Sequence, residues 1–372
     1  MSELRKIIEQ EIREQGPIRF SRYMELCLYH PEHGYYSRNA AQFGKAGDFF
    51  TSSDVHAVFG RLLARQFDEM WRTMGSPERI AVKELGPGRG LFAQDVLDWS
   101  AKKFPEFFSA LRYLLAEQSP ALREKISQTL DRHFVSGKAA FAKLEENSGV
   151  PVIVFANEFF DALPVEIVSS QGSLRIAAQN GRFAEIWEEM SEGELEFLDR
   201  YSVHPETGER IEVPLQSQAA MRLAAAAIDR GFMITVDYGY TREEQLAGRH
   251  RGTLKAIRQH SVSGNPYEAP GEQDITADVN FSALAATAEQ CGVHAQKLIT
   301  QSQFLMGIGE ANQFADAFED AHLPQERAKV ALQLKHLVTP AGMGESFHVL
   351  VASKGVDAEQ VAKLVGMNFG LR

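Results

Sequence analysis

The chain of 372 residues contains only two cysteines, Cys27 and Cys291, which lie far apart in the sequence. So few cysteines exclude a cysteine-based zinc knuckle and argue against a disulfide framework. No apolar run approaches the roughly 20 residues that a membrane helix requires. A basic surplus is also missing, because 39 Lys and Arg face 50 Asp and Glu for a net charge of −11. We therefore expect no membrane insertion and no nucleic-acid partner.

Several catalytic signatures are absent as well. The sequence has no G-x-S-x-G, no H-E-x-x-H and no P-loop lysine motif, which argues against hydrolase and kinase functions. His30 and His33 have no suitably spaced third ligand, and no metal site is predicted. The N-terminal segment is acidic and amphipathic and lacks the features of a signal or transit peptide, so a cytoplasmic location is predicted.

The most informative segment that is present begins at Ile80. A short apolar run carrying Glu84 leads into a turn with Gly86, Gly88 and Gly90, and a helical pattern follows. Glycines allow a backbone to approach a ligand closely or to adopt positive φ. A dinucleotide fingerprint would need a third glycine where Leu91 stands. The acid-x-G-x-G-x-G pattern instead resembles the first motif of S-adenosylmethionine-dependent methyltransferases.

The chain beyond this turn alternates strand and helix patterns. Apolar strands are predicted at 80–85, 111–117, 152–156 and 232–237, and a late strand at 347–353. This alternation predicts an α/β fold with a doubly wound, Rossmann-like, mostly parallel sheet. Hairpin signals between 165 and 188 indicate an inserted small antiparallel β/α subdomain, and the N-terminal region is helical. Ile18–Leu28 is predicted as one short helix, 241–280 as a long loop, and 301–338 as mainly helical.

These patterns divide the chain into six predicted segments, which are 1–75 (helical extension and cofactor-covering segment), 76–164 (first part of the Rossmann-like core), 165–220 (inserted hairpins), 221–240 (core continued), 241–340 (loop and helical insertion shaping the acceptor site) and 341–372 (final core strand and C-terminal helix).

Acidic or amide residues follow four predicted parallel strands, at Glu84, Glu117, Asn157-Glu158 and Asp237. Because strand carboxyl ends line the ligand crevice of such folds, these side chains are candidate site residues. Glu117 is the natural partner of ribose hydroxyls. Glu158 and Asp161, together with Asn157, are candidates for the reaction site, since paired carboxylates suit the fork of a guanidinium.

Ordered matches through nearly the whole chain resemble the MidA family of class I methyltransferases, whose mitochondrial members assist assembly of respiratory complex I. The matching segments are Tyr35-Tyr36, Gly47-Asp-Phe-Phe-Thr51, Phe59-Gly60, Glu84-Leu-Gly-Pro-Gly-Arg-Gly90, Glu117-Gln-Ser-Pro120, Asn157-Glu-Phe-Phe-Asp-Ala-Leu-Pro164, Asp237-Tyr-Gly-Tyr240, Gly252-Thr-Leu254, Pro270-Gly-Glu-Gln-Asp-Ile-Thr276, Gln303-Phe-Leu305 and Met343-Gly344.

The resemblance implies a class I methyltransferase fold, S-adenosyl-L-methionine as cofactor, and symmetric dimethylation of an arginine in a protein substrate. It also implies roles for individual residues: Glu84 and the three glycines contact the methionine part of the cofactor, Glu117 takes the ribose, Gly47, Asp48 and Phe49 close over the site, and Asn157, Glu158 and Asp161 face the acceptor.

The sequence departs from the family pattern in two places, and these departures concern the acceptor. Ser53-Asp54 replaces a common Pro-Glu, and Asp278 and Asn280 stand where His and Asp are more usual. A relative with a different protein substrate would show the same departures. Two alternatives to a methyltransferase also stay open, on other grounds. One is a non-catalytic assembly factor or chaperone that binds a protein partner, and the other is a Rossmann oxidoreductase. A hydrophobic face on the inserted hairpins would also be compatible with a homodimer.

Overall fold

The computed structural model describes residues 2–39, 57–179, 181–258 and 261–369. Within these ranges the strands are β1 (Ile18–Arg19), β2 (Ile80–Leu85), β3 (Leu111–Ala116), β4 (Ala139–Phe141), β5 (Val152–Asn157), β6 (Glu166–Ser169), β7 (Gly172–Gln179), β8 (Arg182–Glu188), β9 (Ile211–Val213), β10 (Gly231–Tyr240), β11 (Lys255–Arg258), β12 (Ser261–Ser263), β13 (Asp274–Thr276), β14 (Val279–Asn280), β15 (His294–Ala295), β16 (Ile299–Thr300) and β17 (Phe347–Lys354).

The helices of the same ranges are α1 (Glu3–Gln15), α2 (Phe20–Tyr29), α3 (Tyr35–Asn39), α4 (Ala57–Thr73), α5 (Leu91–Lys103), α6 (Pro105–Ala110), α7 (Pro120–Thr129), α8 (Asp131–Val135), α9 (Glu192–Tyr201), α10 (Leu215–Ala226), α11 (Arg242–Leu246), α12 (Phe281–Gln290), α13 (Gln301–Glu310), α14 (Ala315–Phe318), α15 (Pro324–Val338) and α16 (Ala358–Ala362), with a short 3₁₀ turn at Val365–Met367. No helix of the described ranges is both long and apolar enough to cross a bilayer.

The central sheet runs in the order β15, β17, β10, β5, β2, β3, β4, and β16 also pairs with β17. From β10 to β4 all neighbours are parallel, whereas β17 is antiparallel to β10. The predicted α/β fold with a mostly parallel, doubly wound sheet is therefore confirmed. The chain leaves β2 toward β3 on one side and returns to β5 on the other. A crevice forms at the carboxyl ends of strands where their order reverses in this way.

The sheet is buried on both faces, as its near-continuous apolar strands require. All six residues of β2 are buried. One apolar layer joins the sheet to α4 and α5 through Leu62, Phe67 and Phe92. The opposite layer joins it to α10 and α12 through Met221 and Leu284. The parallel strand ends are thus held rigidly in position, which fixes any side chain that follows them.

A second sheet contains the inserted hairpins, with β7 paired to β6 and β8. The N-terminal helices pack on this sheet, where Ile8 and Phe20 are fully buried against Leu174 and Ile176. The prediction of one helix over Ile18–Leu28 is partly wrong. Its first two residues form β1, which pairs with β7, and α2 begins only at Phe20. Pairing with a distant strand overrides the local helical pattern there.

The prediction of a loop over 241–280 is also wrong. This segment forms α11, β14 and a small sheet in which β11 lies between β12 and β13. Its strands have two to four residues each, too short for a periodic signal. Ala256 and Ile275 face each other across this sheet and are buried, so distant pairing stabilises it. The division of the chain into six segments stays a prediction.

Candidate functional site

The glycine turn after β2 has the backbone conformation that the sequence predicts. Gly86, Gly88 and Gly90 have φ of +63°, +54° and +78°, in the left-handed region that favours glycine. The Gly86 N–H donates to the carbonyl of Ala116 at 3.2 Å, and the Gly90 N–H donates to that of Pro87 at 2.8 Å. The turn is therefore tied to the end of β3, and α5 begins directly after it.

Two of these glycines meet different surroundings. A Cβ added to Gly86 would lie 2.9 Å from Cδ2 of Phe159, whereas a Cβ added to Gly88 would meet no atom of the described residues within 4 Å. Gly86 thus allows the predicted cofactor turn to touch the predicted acceptor segment. Gly88 instead borders open space, as a residue that faces a ligand would.

Glu84 lies beneath the turn, in the last part of β2, and is buried. Its Oε2 accepts a hydrogen bond from the Tyr113 hydroxyl at 2.9 Å. Burial raises the pKa of the Glu84 carboxyl to about 8, although the tyrosine hydrogen bond opposes this shift. A cation reaching the end of β2 would favour the ionised form. Tyr113 was not predicted, because its place beside Glu84 follows from the pairing of β2 with β3.

Glu117 follows β3, next to the glycine turn. Its Oε1 accepts the backbone N–H groups of Gln118 at 2.8 Å and Ser119 at 2.7 Å. Burial raises the pKa of its carboxyl, and these two backbone hydrogen bonds oppose the shift. Among the described residues both donors contact Oε1, so Oε2 can accept from a ligand hydroxyl. A free acceptor oxygen of this kind is what the predicted ribose role needs, because the ribose hydroxyls donate to it.

The predicted acceptor segment forms a tight turn after β5. Glu158 has a φ of +48°, and its N–H donates to the carbonyl of Val236 at 3.0 Å. The Asn157 Nδ2 donates to Oε1 of Glu158 at 3.1 Å. Asp161 is buried, and its Oδ2 accepts from the Tyr238 hydroxyl at 2.5 Å. The structure therefore brings the three predicted acceptor residues together at one strand end.

Two oxygens in this turn have unused hydrogen-bonding capacity. Oδ1 of Asn157 and Oδ1 of Asp161 are buried and have no partner among the described residues. Burial raises the pKa of the Asp161 carboxyl above its ordinary value. Buried acceptors without a donor are uncommon in folded proteins and call for an explanation such as a bound ligand.

Asp237, which the sequence marked as a candidate at a strand end without giving it a role, holds the same turn from the neighbouring strand β10. Its Oδ2 accepts the backbone N–H groups of Phe160 at 3.1 Å and Asp161 at 3.3 Å, and its Oδ1 accepts that of Tyr238 at 3.0 Å. Complete burial, followed by the charges of Asp161 and Glu158, raises its pKa well above the ordinary value. The only signal in the sequence is its place directly after a buried strand.

The N-terminal helices also reach this turn. The Tyr29 hydroxyl donates to the carbonyl of Ala162 at 2.9 Å, and the rings of Tyr29 and Tyr36 lie 5.4 Å apart. The Tyr36 hydroxyl donates to Oδ1 of Asp274 at 3.2 Å. Tyr29 thus brings a second aromatic ring to the predicted acceptor turn, and Tyr36 links it to the carboxylate of Asp274; rings and carboxylates together suit a cation. The remaining predicted residues, Gly47, Asp48 and Phe49, lie outside the described residues.

A family model for S-adenosyl-L-methionine-dependent methyltransferases matches residues 62–299, more than half of the chain. The chain belongs to this family. The methyltransferase is 30% identical to a protein of Drosophila melanogaster over 402 residues, which cover 98% of this chain and 88% of the relative. That relative is named protein arginine methyltransferase NDUFAF7 homolog, mitochondrial.

Two further similarities agree with this assignment. Human protein arginine methyltransferase NDUFAF7, mitochondrial, is 28% identical over 377 residues, which cover 91% of the methyltransferase and 80% of the human chain. A crystal structure from Burkholderia thailandensis bound to S-adenosyl-homocysteine has a TM-score of 0.83 and 27% identity, and covers 97% of this chain and 94% of its own. The predicted cofactor, S-adenosyl-L-methionine, is thereby confirmed, and the resemblance to the MidA family is upheld.

The described side chains fit this cofactor. The open space beside Gly88 gives room for a ligand at the turn. Oε2 of Glu117 offers an acceptor for ribose hydroxyls, and Glu84 offers a carboxyl near the end of β2. A cationic ligand without phosphate needs few backbone donors, which agrees with the proline in the turn. The individual contacts of these residues with the cofactor stay predictions.

The same comparison corrects the predicted location. The relatives from Drosophila melanogaster, Homo sapiens and Danio rerio are all named mitochondrial. These names contradict the cytoplasmic location predicted from the sequence. That prediction rested on missing signal and transit features, and an absence of this kind does not specify a compartment.

Proposed function

We propose that the methyltransferase transfers methyl groups to an arginine side chain of a protein substrate. The observation that carries this proposal is the pair of unpartnered buried oxygens on Asn157 and Asp161, among the described residues. Leaving a buried acceptor without a donor costs about 1–3 kcal/mol. A guanidinium group has five N–H donors and no acceptor, so it suits acceptor oxygens of this kind.

The charges of the segment support the same substrate. Glu158 and Asp161 carry carboxyl groups at one turn, and tyrosine rings lie next to it. Carboxylates that hold a guanidinium fork fix its orientation, and alignment of nucleophile and methyl group is the main requirement of an in-line transfer. The names of the relatives, which state protein arginine methyltransferase, point to the same acceptor.

The reaction also needs a proton acceptor. When a guanidinium nitrogen forms a bond to the methyl carbon, the nitrogen loses one proton and the methylated guanidinium keeps its charge. Bound S-adenosylmethionine supplies the electrophilic methyl group. Burial raises the pKa of Asp161, which makes its carboxylate a stronger base than an exposed aspartate. We propose that Asp161 accepts the proton that the guanidinium nitrogen loses, and that Glu158 and Asn157 orient the guanidinium group.

By resemblance to the MidA family, we further propose symmetric dimethylation, with one methyl group on each terminal nitrogen of the arginine. Fragmentation mass spectrometry distinguishes the two dimethylated products, because the symmetric product loses methylamine and the asymmetric product loses dimethylamine.

The experiment uses two peptides that differ only in carrying one arginine or one lysine. Each is incubated with S-adenosylmethionine and the wild type, Glu158→Gln, or the exposed control Glu359→Gln, and methylation is measured by mass spectrometry. The wild type and the control should methylate the arginine peptide. Glu158→Gln should lose at least about 100-fold in rate, since one transition-state contact is removed. The affinity of Glu158→Gln for S-adenosylhomocysteine, measured by calorimetry, should equal that of the wild type.

Three results would contradict the proposal in different ways. Full activity of Glu158→Gln would locate the acceptor elsewhere. Methylation of the lysine peptide alone would reject a guanidinium substrate. Cofactor binding without transfer to either peptide would favour the non-catalytic assembly factor.

A further inference from the structure

Lys255 lies over the ring of Tyr238, the tyrosine whose hydroxyl contacts Asp161 in the predicted acceptor turn. Nζ of Lys255, in β11, is 5.1 Å from the centroid of the Tyr238 ring. The same ammonium donates to Oδ1 of Asp278 at 2.9 Å. A cation over an aromatic face and against a carboxylate is held by both. The ring and the carboxylate together therefore form a binding place for a positive charge.

This place is continuous with the acceptor turn. The Tyr238 hydroxyl donates to Oδ2 of Asp161, whose Oδ1 has no partner among the described residues. One tyrosine thus contacts the proposed acceptor carboxylate with its hydroxyl and a cation with its ring face. Two positive groups of one substrate segment could bind side by side here, one at each carboxylate.

Lys255 can move away from the Tyr238 ring into solvent, because its side chain is partly exposed. The Lys255 side chain is 43% exposed, whereas that of Asp278 is only 12% exposed. Oδ2 of Asp278 stays in contact with Nδ1 of His250 at 3.1 Å, so departure of the lysine leaves the carboxylate in position. An arginine would bind this place better than Lys255, because a planar guanidinium stacks on a ring and pairs with a carboxylate through two N–H groups.

We propose that the Tyr238 ring and Asp278 form a second cation subsite, that Lys255 fills it in the free protein, and that a second arginine of the substrate, close to the methylated one, displaces this lysine. The inference rests on the proposed function and adds to it a preference for substrate segments with two nearby arginines.

The experiment measures binding of two synthetic peptides, Gly-Arg-Gly-Arg-Gly and Gly-Arg-Gly-Gln-Gly, with blocked ends and in the presence of S-adenosylhomocysteine. Lys255→Met removes the resident charge and nearly keeps the side-chain length. We expect this variant to bind the two-arginine peptide roughly threefold more tightly, because a partly exposed ion pair contributes a free energy of that size. Its affinity for the one-arginine peptide should be unchanged. Asp278→Asn should weaken binding of the two-arginine peptide alone.

Lys102→Met is a matched control. Nζ of Lys102 lies 5.1 Å from the Trp99 ring and 2.7 Å from Oδ1 of Asp320, and its side chain is 46% exposed. Lys102 therefore also contacts a ring and a carboxylate at a similar exposure of its own side chain, although Asp320 is 50% exposed, and it lies at the C-terminal end of α5. The control changes the net charge equally, and it should not alter the preference between the peptides.

The outcomes separate the two hypotheses. If the wild type binds the one-arginine peptide but Lys255→Met shows no new preference, or only the change seen in Lys102→Met, the second subsite is refuted and the proposed function stands. If neither peptide binds the wild type at all, the arginine acceptor itself is refuted, and the inference with it.

Discussion

Substitution of Gly88 by alanine should separate the cofactor site from the stability of the fold. A Cβ at this position meets no atom within 4 Å in the part of the chain that the structure describes, although φ is +54°. An alanine in the left-handed region costs about 1–2 kcal/mol. Gly88→Ala should therefore fold with only that loss. Because the added methyl group would occupy the crevice, we expect the affinity for S-adenosylhomocysteine to fall at least tenfold, or about 1.4 kcal/mol.

Two matched variants isolate this effect. Gly137 has a φ of +73° and also has open space at its Cβ. It precedes β4, at the opposite edge of the sheet from the strand carboxyl ends. Gly137→Ala should show the same backbone strain and normal cofactor affinity. Gly86→Ala would place its Cβ 2.9 Å from Phe159 and should lose a further 1–3 kcal/mol or so through overpacking.

The measurements are urea unfolding for stability and calorimetric titration with S-adenosylhomocysteine for affinity. The three variants should form a series in which stability falls most for Gly86→Ala and in which cofactor binding is normal only for Gly137→Ala. If Gly88→Ala bound the cofactor as tightly as Gly137→Ala, the open space beside the turn would not be the cofactor site, and the reasoning from the glycine pattern would fail.

Two further predictions concern the buried carboxyl groups. Burial raises the pKa of Glu84 to about 8, so the free protein carries it protonated below that pH, and a cationic cofactor should release its proton. Calorimetry near pH 7 in buffers of different ionisation enthalpy should detect this proton and lose it in Glu84→Gln. Because ionisation is penalised in the fold, Glu84→Gln should also gain stability relative to wild type between about pH 5 and about pH 8, and a pH-independent difference would contradict the assignment. Asp237→Asn keeps only one acceptor oxygen for three N–H groups, so it should lose about 1–3 kcal/mol in urea unfolding and at least tenfold in transfer rate, with normal cofactor affinity. A normal rate in the destabilised variant would show that Asp237 supports the fold without positioning the acceptor turn.

Much of the central architecture could be predicted because its signals are local. The strand at 80–85, the glycines after it and the acids at strand ends are contiguous patterns that need no knowledge of distant contacts. The three proposed acceptor residues belong to one short segment, so their proximity could also be predicted from the sequence. The sequence also predicted Glu84 and Glu117 at the same edge of the sheet, because the carboxyl ends of parallel strands meet there.

The rest of the site comes from pairing between distant segments. Tyr113 reaches Glu84 only through the register of β2 with β3, and Tyr29 approaches Ala162 from the N-terminal helices. Lys255 and Asp278 meet through β11 and its neighbours, within a region whose strands are too short to be recognised. Sequence spacing carries no information about such contacts, because register is set by turns and by burial of whole faces.

Two contacts hold the proposed acceptor turn. Asp237 of β10 accepts a backbone N–H group of the turn, and Phe159 of the turn packs against Gly86. A change at Phe159 would therefore also reach the glycine turn at Gly86. The layers above the acceptor turn, which are the N-terminal helices and the small sheet around β11, can vary without that effect. New substrate preferences in relatives of this protein should therefore arise from exchanges in those outer layers, while the turn beneath them stays the same.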